Sequence, residues 1–447
     1  MKGGAAMNIN SLTFLYFFLP AALIIFNIVP KKAKNIVLAA ISVLFIGLSQ
    51  PESFLIFAAD IVIQFFLSEM MLKNSENTKI KKALLTFAII GNAVVIFYFS
   101  IMNQLKGGFA PFAAMVISFT AIGYFVDLYK KEAEPIRSLA DFTVFLAFFG
   151  KLSRGPLIRA SHIESTPQGD RFSVSECGSG MYLFIRGLAK YVILALPLAE
   201  IHERLVLANS TEISVIGAWL DMIVFSMMIF FDLSGFCDMA RGLGRCFGME
   251  LPKNFYFPFQ SPTVSDFLDR FNMTVTGFFR HYVYDVLRND KNSKPQFIVN
   301  TILICMLCGI WFGIEMNFIF WGLYIAAFII LEELLLKNIL LNIPRIFARV
   351  YTFAVTMFSM TIFSASDLSS IIPSFKAMFG IDAAMTTPEV SYVVSQNGLV
   401  LAVGAFFLIS AFSMFVRFLN KKAQPLYNLF AVLESFVLLV LITAELL

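Results

Sequence analysis

The stretch "NSLTFLYFFLPAALIIFNIVPKKAKNIVLAAISVLF" (residues 10–45) decides the fold, because it holds two apolar runs with a short basic segment between them. Each run has about the length that an α-helix needs to cross the hydrocarbon core of a bilayer. The first run is long for the apolar part of a signal peptide, and no small-residue cleavage site follows it. The stretch therefore predicts two membrane-spanning helices joined by a loop with Lys31, Lys32 and Lys34.

Comparable apolar runs recur along the whole chain of 447 residues. The sequence is 58% hydrophobic and 14% charged, whereas about a quarter of the residues of a soluble domain are charged. We predict an all-α polytopic membrane protein, a single domain over residues 1–447, with about ten to twelve transmembrane helices. The predicted spans are 11–30, 34–49, 53–71, 83–102, 109–128, 180–200, 212–231, 297–313, 316–336, 347–365, 396–417 and 425–446.

The basic residues fall mainly in alternate loops between these spans, which is the pattern that the positive-inside rule describes. They predict that the N-terminus and the C-terminus both lie outside. The net charge of +4 is small and spread over several loops, so it does not indicate binding to nucleic acid.

Two inner stretches are too polar to span and too apolar to be free loops. "DFTVFLAFFGKLSRGPLIRASHI" (141–163) has a short apolar run that ends before Arg154, Gly155 and Pro156, which suits a re-entrant segment. "TVSDFLDRFNMTVTGFFRHYVYDVLR" (263–288) repeats its apolar residues every three or four positions. This period predicts helix that lies along the inner membrane boundary or dips in from it.

Polar side chains also occur at membrane depth, where each of them needs a physical reason. The segment "MMIFFDLSGFCDMARGLGRCFG" (227–248) carries Asp232, Ser234, Asp238 and Arg241. Asp238 and Arg241 are three residues apart and can pair on one helix face. Two interpretations stay open: a self-satisfied charge network that ties helices together, or the polar wall of a water-filled cavity.

Cysteine and histidine give little chemistry. Cys305 and Cys308 lie in an apolar run without a nearby histidine or second cysteine pair, so we predict packing residues and no metal site. Of the three histidines, His162 and His202 are predicted to be surface residues, and His202 a solvated loop residue. His281, on the boundary segment, is the histidine nearest to the polar core segments.

At this point the residues resemble the membrane-bound O-acyltransferases, and most closely the bacterial branch that acetylates alginate and related exopolysaccharides. D-alanyl transfer to teichoic acid is a near relative. The core of the resemblance is "FFDLSGFCDMARGLGRCFGMELPKNFYFPFQSPTVSDFLDRFNMTVTGFFRHYVYDVL" (230–287), and "GIWFGIEMNFIFWGLY" (309–324) resembles the catalytic turn of the family. The stretches 10–45, 127–159 and 352–380 resemble its opening helices, its central loop and its late helix with an outer loop.

The resemblance implies a helical bundle around a tunnel through the cytoplasmic membrane of a bacterium. A cytoplasmic thioester, acetyl-CoA or an acyl-carrier thioester, would donate an acyl group to a hydroxyl of a polysaccharide outside. No cofactor would be bound permanently. Membrane lipids and a secreted or membrane-anchored partner protein would complete the assembly. The family's base is a histidine in a Trp-His-Gly turn, with a second His or Asn on the boundary helix.

This chain departs from the bacterial branch that it resembles at both positions, since that branch usually has histidine at the second position as well, whereas other branches of the family have Asn there. It has Trp311, Phe312 and Gly313 at the turn, and Asn272 at the second position. A phenylalanine has no lone pair with which to take a proton, whereas the amide of Asn272 can hold a carbonyl or hydroxyl group. His281, Glu315 and Asp238 are the substitute bases that the sequence offers, although Asp238 would be a weak base if paired with Arg241.

Three functions are consistent with these observations. The first is a working O-acyltransferase with a substitute base or none. The second is a catalytically degenerate relative that binds donor, lipid or a partner as a scaffold. The third is a conduit that moves an acyl group or lipid through the tunnel. For all three, the expected lining is Asp232, Ser234, Asp238, Arg241, Trp311 and Glu315, with Asn272 and Phe312 at the reacting centre and Arg154, Gly155 and Pro156 in the re-entrant loop.

Overall fold

The computed structural model describes residues 7–106, 111–159, 173–284, 293–408, 416 and 423–447. Over these residues it contains ten helices that are long and apolar enough to cross a membrane. Two shorter apolar helices, Phe14–Ile28 and Lys294–Ile310, accompany them. The all-α polytopic fold and the predicted number of spans are therefore confirmed, and the described ranges contain no β-strand.

The helices overlap each predicted span, although the one that begins at Val215 continues to Cys246, well past the predicted end at residue 231. Their bounds are α1 Leu19–Ile28, α2 Lys34–Ser49, α3 Phe54–Lys73, α4 Thr78–Lys106, α5 Pro111–Lys130, α6 Leu139–Ala147, α7 Val174–Ala189, α8 Leu196–Thr211, α9 Val215–Cys246, α10 Val264–Arg270, α11 Met273–Phe279, α12 Lys294–Ile310, α13 Met316–Leu331, α14 Lys337–Asn342, α15 Arg345–Ser364, α16 Ile371–Met378, α17 Pro388–Leu408 and α18 Gln424–Leu446. Residues 409–415 and 417 of the predicted span 396–417 lie outside the described residues, as does His162.

Within the described residues, four wide π-helical turns interrupt this pattern, at Phe14–Phe18, Lys190–Ala195, Arg280–Tyr284 and Glu332–Leu336. Such turns are rare and often lie near functional sites. The turn at Lys190–Ala195 joins α7 to α8, and the turn at Glu332–Leu336 joins α13 to α14.

Two compact units make up the chain, apart from its last two residues. The first consists of Met1–Leu188 and Phe236–Lys253, and the second of Ala189–Gly235 and Asn254–Glu445. Helix α9 contributes its first part to the second unit and its last part to the first.

Aromatic rings fill the core of the first unit. The ring of Phe149 lies 6.1 Å from that of Phe14, 5.8 Å from Phe18, 5.7 Å from Phe45 and 5.5 Å from Phe247, measured between centroids. These are the separations at which edge-to-face ring pairs stabilise a core. They fix the segment that follows α6 against the opening helices.

The segment that the sequence predicts to be re-entrant holds only a short helix. At 1.5 Å per residue the nine residues of α6 extend about 14 Å, which is roughly half of the hydrocarbon thickness. A 3₁₀ turn at Phe149–Lys151 follows, and Phe142–Leu152 is buried throughout. The described part of the segment is therefore too short a helix to cross the membrane.

In the second unit, α12 and α13 form a hairpin in which the two backbones touch. A Cβ atom on Gly309 would collide with the carbonyl oxygen of Phe318, and one on Gly322 would collide with that of Cys305. Small residues at such crossings allow close helix packing in membranes. The predicted packing role of the cysteines agrees with this, since Cys305 and Cys308 are both buried.

The described part of the predicted boundary segment 263–288 is divided into two short helices. Helix α10 ends at Arg270, and α11 begins at Met273. Asn272 lies between them with φ 57° and ψ 49°, the left-handed region that interrupts an α-helix and that asparagine tolerates better than most residues. The apolar period could not show this break, because it continues across Phe271.

Candidate active site

The candidate site begins at the turn between α12 and α13. Trp311 is 3% exposed and caps α12, with its backbone N–H directed to the carbonyl of Leu307 at 3.0 Å. Phe312 donates its backbone N–H to Gly309 at 2.9 Å, which continues the helical winding for one more residue. Glu315 is exposed and precedes the first residue of α13.

Phe312 points into a cluster of aromatic rings and not into lipid. We call Phe312, Phe318, Trp321 and Phe363 the Phe312 ring cluster. The Phe312 centroid lies 4.9 Å from that of Phe363 and 5.9 Å from that of Trp321, both in edge-to-face geometry. Trp321 is 1% exposed, and its indole Nε1 has no hydrogen-bond partner among the described residues. The ring of Phe312 is therefore partly buried against other aromatic rings.

Asn272 is held by a second asparagine, Asn254. The carbonyl oxygen of the Asn254 side chain accepts the backbone N–H and the hydroxyl of Thr274, each at 2.8 Å. The Asn254 amide nitrogen must then face the other way, where it donates to Oδ1 of Asn272 at 2.6 Å. The backbone N–H of Thr274 can only donate, so it fixes the orientation of both amides.

This arrangement determines what Asn272 can offer. Its Oδ1 is already occupied by Asn254, and in the described part of the chain its Nδ2 has no acceptor. Asn254 is 4% exposed and Asn272 is 6% exposed. An amide N–H in such a buried position is a strong candidate donor to a polar group of a ligand.

A buried carboxylate, that of Glu332, holds the first turn of α10, the helix that ends just before Asn272. Glu332, at the start of the π-helical turn that ends α13, accepts the backbone N–H of Val264 at 2.8 Å and that of Ser265 at 3.3 Å. Both donors belong to the first turn of α10, where helices leave N–H groups without partners. Glu332 therefore ties the boundary segment to α13.

We predict that Glu332→Ala lowers the free energy of unfolding by about 2–4 kcal/mol, because two buried N–H groups lose their acceptor. Glu332→Gln keeps one acceptor oxygen and should cost less than half of that. Thermal unfolding in detergent measures both variants. An alanine variant as stable as the wild type would show that water replaces the carboxylate without loss.

The remaining predicted residues lie on α9 and after α6. Arg241 Nη1 is 3.2 Å from Asp238 Oδ1, which confirms the predicted i, i+3 pair. Ser234 is buried, and its hydroxyl has no partner among the described residues. Asp232 belongs to the same helix in the second unit, whereas Asp238 and Arg241 belong to the first.

The central loop is also ordered by contacts within the first unit. The Arg154 guanidinium lies 5.1 Å from the ring centroid of Phe112 and 5.2 Å from that of Phe236, so two aromatic faces flank its charge. Gly155 bonds back to the Lys151 carbonyl at 2.8 Å, and a Cβ atom there would meet the Lys151 backbone. The loop continues through Pro156, which is buried.

His281 lies beyond α11, in the π-helical turn Arg280–Tyr284, and its ring is 4.8 Å from that of Tyr282. The helix α11 separates it from Asn272 along the chain. The structure thus gives no support to His281 as the substitute base, and its role stays a prediction.

The prediction that His202 is a solvated loop residue is wrong. Helix α8 continues to Thr211, so His202 lies within it. Its Nδ1 is 2.6 Å from Oδ1 of Asp221 on α9, and the two side chains are 18% and 10% exposed. One feature of the sequence points to this pair: Asp221 is an acid within the largely apolar predicted span 212–231, where it needs a polar partner.

Comparisons with known proteins agree with this description. The sequence pattern of the membrane-bound O-acyltransferase family matches residues 128–372. The chain is 25% identical to the probable alginate O-acetylase of Pseudomonas aeruginosa over 440 residues, which is 94% of this chain and 83% of that protein.

Two further relatives are named for other acceptors, peptidoglycan and teichoic acid. The chain is 24% identical to the peptidoglycan O-acetyltransferase of Helicobacter pylori, over 83% of this chain and 80% of that protein. It is 30% identical to the teichoic acid D-alanyltransferase of Bacillus subtilis, over 47% of this chain and 58% of that protein. With the family pattern covering more than half of its length, the chain belongs to the membrane-bound O-acyltransferase family.

Proposed function

We propose that the protein transfers an acetyl or other short acyl group from a cytoplasmic thioester to a hydroxyl of an extracytoplasmic polysaccharide. The named activities of the alginate and peptidoglycan relatives support this class of reaction. The observation that carries the proposal to this chain is the orientation of Asn272, whose buried amide N–H remains available while Asn254 holds its oxygen.

In the proposed reaction, the acceptor hydroxyl oxygen attacks the thioester carbonyl carbon, the carbon–sulfur bond breaks, and a thiol leaves. Negative charge develops on the carbonyl oxygen as the attack proceeds, and a fixed N–H donor such as Nδ2 of Asn272 stabilises it. The Phe312 ring cluster excludes water from the enclosed turn, which protects the thioester from hydrolysis.

The donor in this proposal is acetyl-CoA or an acyl-carrier thioester that binds only during turnover. The predicted topology, with both termini outside, puts the basic loops on the cytoplasmic side of a bacterial membrane, where they attract a phosphorylated or acidic donor. We further propose that the acceptor polymer is presented by a secreted or membrane-anchored partner protein, as the resemblance implies.

The proposal is tested with the purified protein in lipid nanodiscs, using acetyl-CoA labelled in the acetyl group. Alginate oligosaccharides and soluble peptidoglycan fragments serve as acceptors, and empty nanodiscs serve as the control. We expect label in at least one sugar product as a base-labile ester. If no short acyl thioester in a panel that includes acyl-carrier thioesters supports transfer above the control, the proposed function is wrong.

A second candidate function is a scaffold that binds a donor without transfer, or a conduit for acyl groups. One observation favours it: none of the four side chains of the Phe312 ring cluster can accept a proton. In the same nanodiscs, saturable binding of acetyl-CoA without product in any assay would support this candidate.

A further inference from the structure

The pair His202–Asp221 has the geometry of a base and the carboxylate that orients it. Asp221 is 7% exposed as a residue, and its Oδ1 is 2.6 Å from Nδ1 of His202. An ionised carboxylate only accepts hydrogen bonds, so Nδ1 must carry the hydrogen. In the neutral ring the lone pair then lies on Nε2, which makes Nε2 the basic atom.

The His202 side chain is largely buried but remains partly exposed. Its ring centroid is 4.9 Å from that of Phe225, and its side chain keeps 18% exposure. At 1.5 Å per residue the pair lies about 9–14 Å along α8 and α9 from the turn that joins them. The predicted topology puts this turn on the outer side, so the pair is recessed into the side from which a polysaccharide hydroxyl would arrive.

Aromatic rings connect this pair to the turn with the replaced histidine. Phe225 is 6.0 Å from Phe363, and Phe363 is 4.9 Å from Phe312, measured between ring centroids. All of these residues belong to the second unit. A continuous series of ring contacts therefore links His202 to the Phe312 ring cluster.

We propose that His202, oriented by Asp221, is the general base of the acyl transfer in this protein, in place of the histidine that Phe312 replaces. The inference rests on the proposed function and deepens it. Nε2 of His202 takes the proton of the acceptor hydroxyl as its oxygen forms the bond to the thioester carbonyl carbon. When the carbon–sulfur bond breaks, the departing thiolate takes that proton and leaves as a thiol.

The test is a steady-state measurement of the His202→Asn variant in the nanodisc transfer assay. The asparagine amide nitrogen can still donate to Asp221, which preserves the packing of α8 on α9, but it has no basic atom. We expect kcat to fall about 10²- to 10⁴-fold, the range for loss of a general base. KM for donor and acceptor should be unchanged, and thermal unfolding should match the wild type.

Asp221→Asn tests the positioning role separately. Alone it should lower kcat substantially, because the ring is no longer held in one tautomer. Combined with His202→Asn it should cause no further loss, since the two residues act as one unit. Additive losses would show that Asp221 acts independently of His202 and would overturn the pairing.

Three further outcomes would each overturn the inference. Full activity of His202→Asn overturns the inference and leaves the proposed function standing. If His202→Asn lowers the thermal stability as well, and activity falls only as far as the loss of folded protein explains, His202 has a structural role only. The inference is then overturned. If the wild-type protein transfers no acyl group, the proposed function is wrong and the inference is wrong with it.

Discussion

Replacing Asn254 with aspartate should leave the fold intact and lower kcat of acyl transfer about 10²- to 10³-fold, the range for loss of one oxyanion donor. The carboxylate still accepts the N–H and hydroxyl of Thr274, but it can no longer donate to Asn272. The Asn272 amide would turn over so that its nitrogen faces residue 254. Its oxygen would then face the reacting carbonyl, where it repels developing negative charge. Steady-state transfer rates and thermal unfolding measure the two effects.

Asn254→Ala is the matched control for this prediction. It removes the side-chain acceptor of Thr274 and the donor to the buried Asn272 side chain, which should cost about 2–5 kcal/mol in stability. The aspartate variant should therefore be stable and slow, and the alanine variant unstable. An aspartate variant with normal kcat would show that the N–H of Asn272 does not contact the substrate.

Replacing Phe312 with alanine should lower the free energy of unfolding by about 2–4 kcal/mol. The ring packs on Phe318, Trp321 and Phe363, and large-to-small changes at buried phenylalanines cost about 3–5 kcal/mol. Phe312 is only partly buried, so we expect its loss of stability to lie near or below the lower end of that range. Thermal unfolding in one detergent measures the loss.

Phe320→Ala provides the comparison, because Phe320 is on the same helix α13 and is 40% exposed. An exposed position outside the ring cluster should change stability by no more than about 0.5 kcal/mol. Equal losses at residues 312 and 320 would mean that the ring cluster contributes no more than a lipid-facing side chain. Phe312→His should fall between the two, since an imidazole fills most of the space and can accept the unpaired Trp321 N–H.

The sequence predicted the spanning helices well because length and hydropathy govern them directly. Helix α2 runs over Lys34–Ser49, the predicted range, and α18 over Gln424–Leu446 agrees to one residue. The break at Asn272 could not be predicted in this way. It depends on a left-handed backbone conformation and on hydrogen bonds from Asn254, a residue far enough away in sequence that no local pattern connects the two.

The candidate site was predicted in part. The local pair Asp238–Arg241 followed from helix geometry, and the structure confirms it. The pair His202–Asp221 links α8 to α9. The predicted span 180–200 ends before His202, and the sequence does not give the angle between the two helices. Amphipathic pattern cannot show which acid faces which base between them. The roles of Asn272, His281 and Phe312 in chemistry remain predictions for the experiments above.

The wide turn at Glu332–Leu336 has a consequence for the comparison of related sequences. A π-helical turn holds about one residue more than an α-helical one, and each helical residue rotates the chain by about 100°. Because the wide turn absorbs this extra residue, deleting it would restore α-helical winding and leave Lys337–Asn342 facing nearly the same way, while Glu332 kept its contact with α10. We therefore expect homologues that lack the wide turn to align with a one-residue gap within 333–336. They should keep an acidic residue at the position of Glu332.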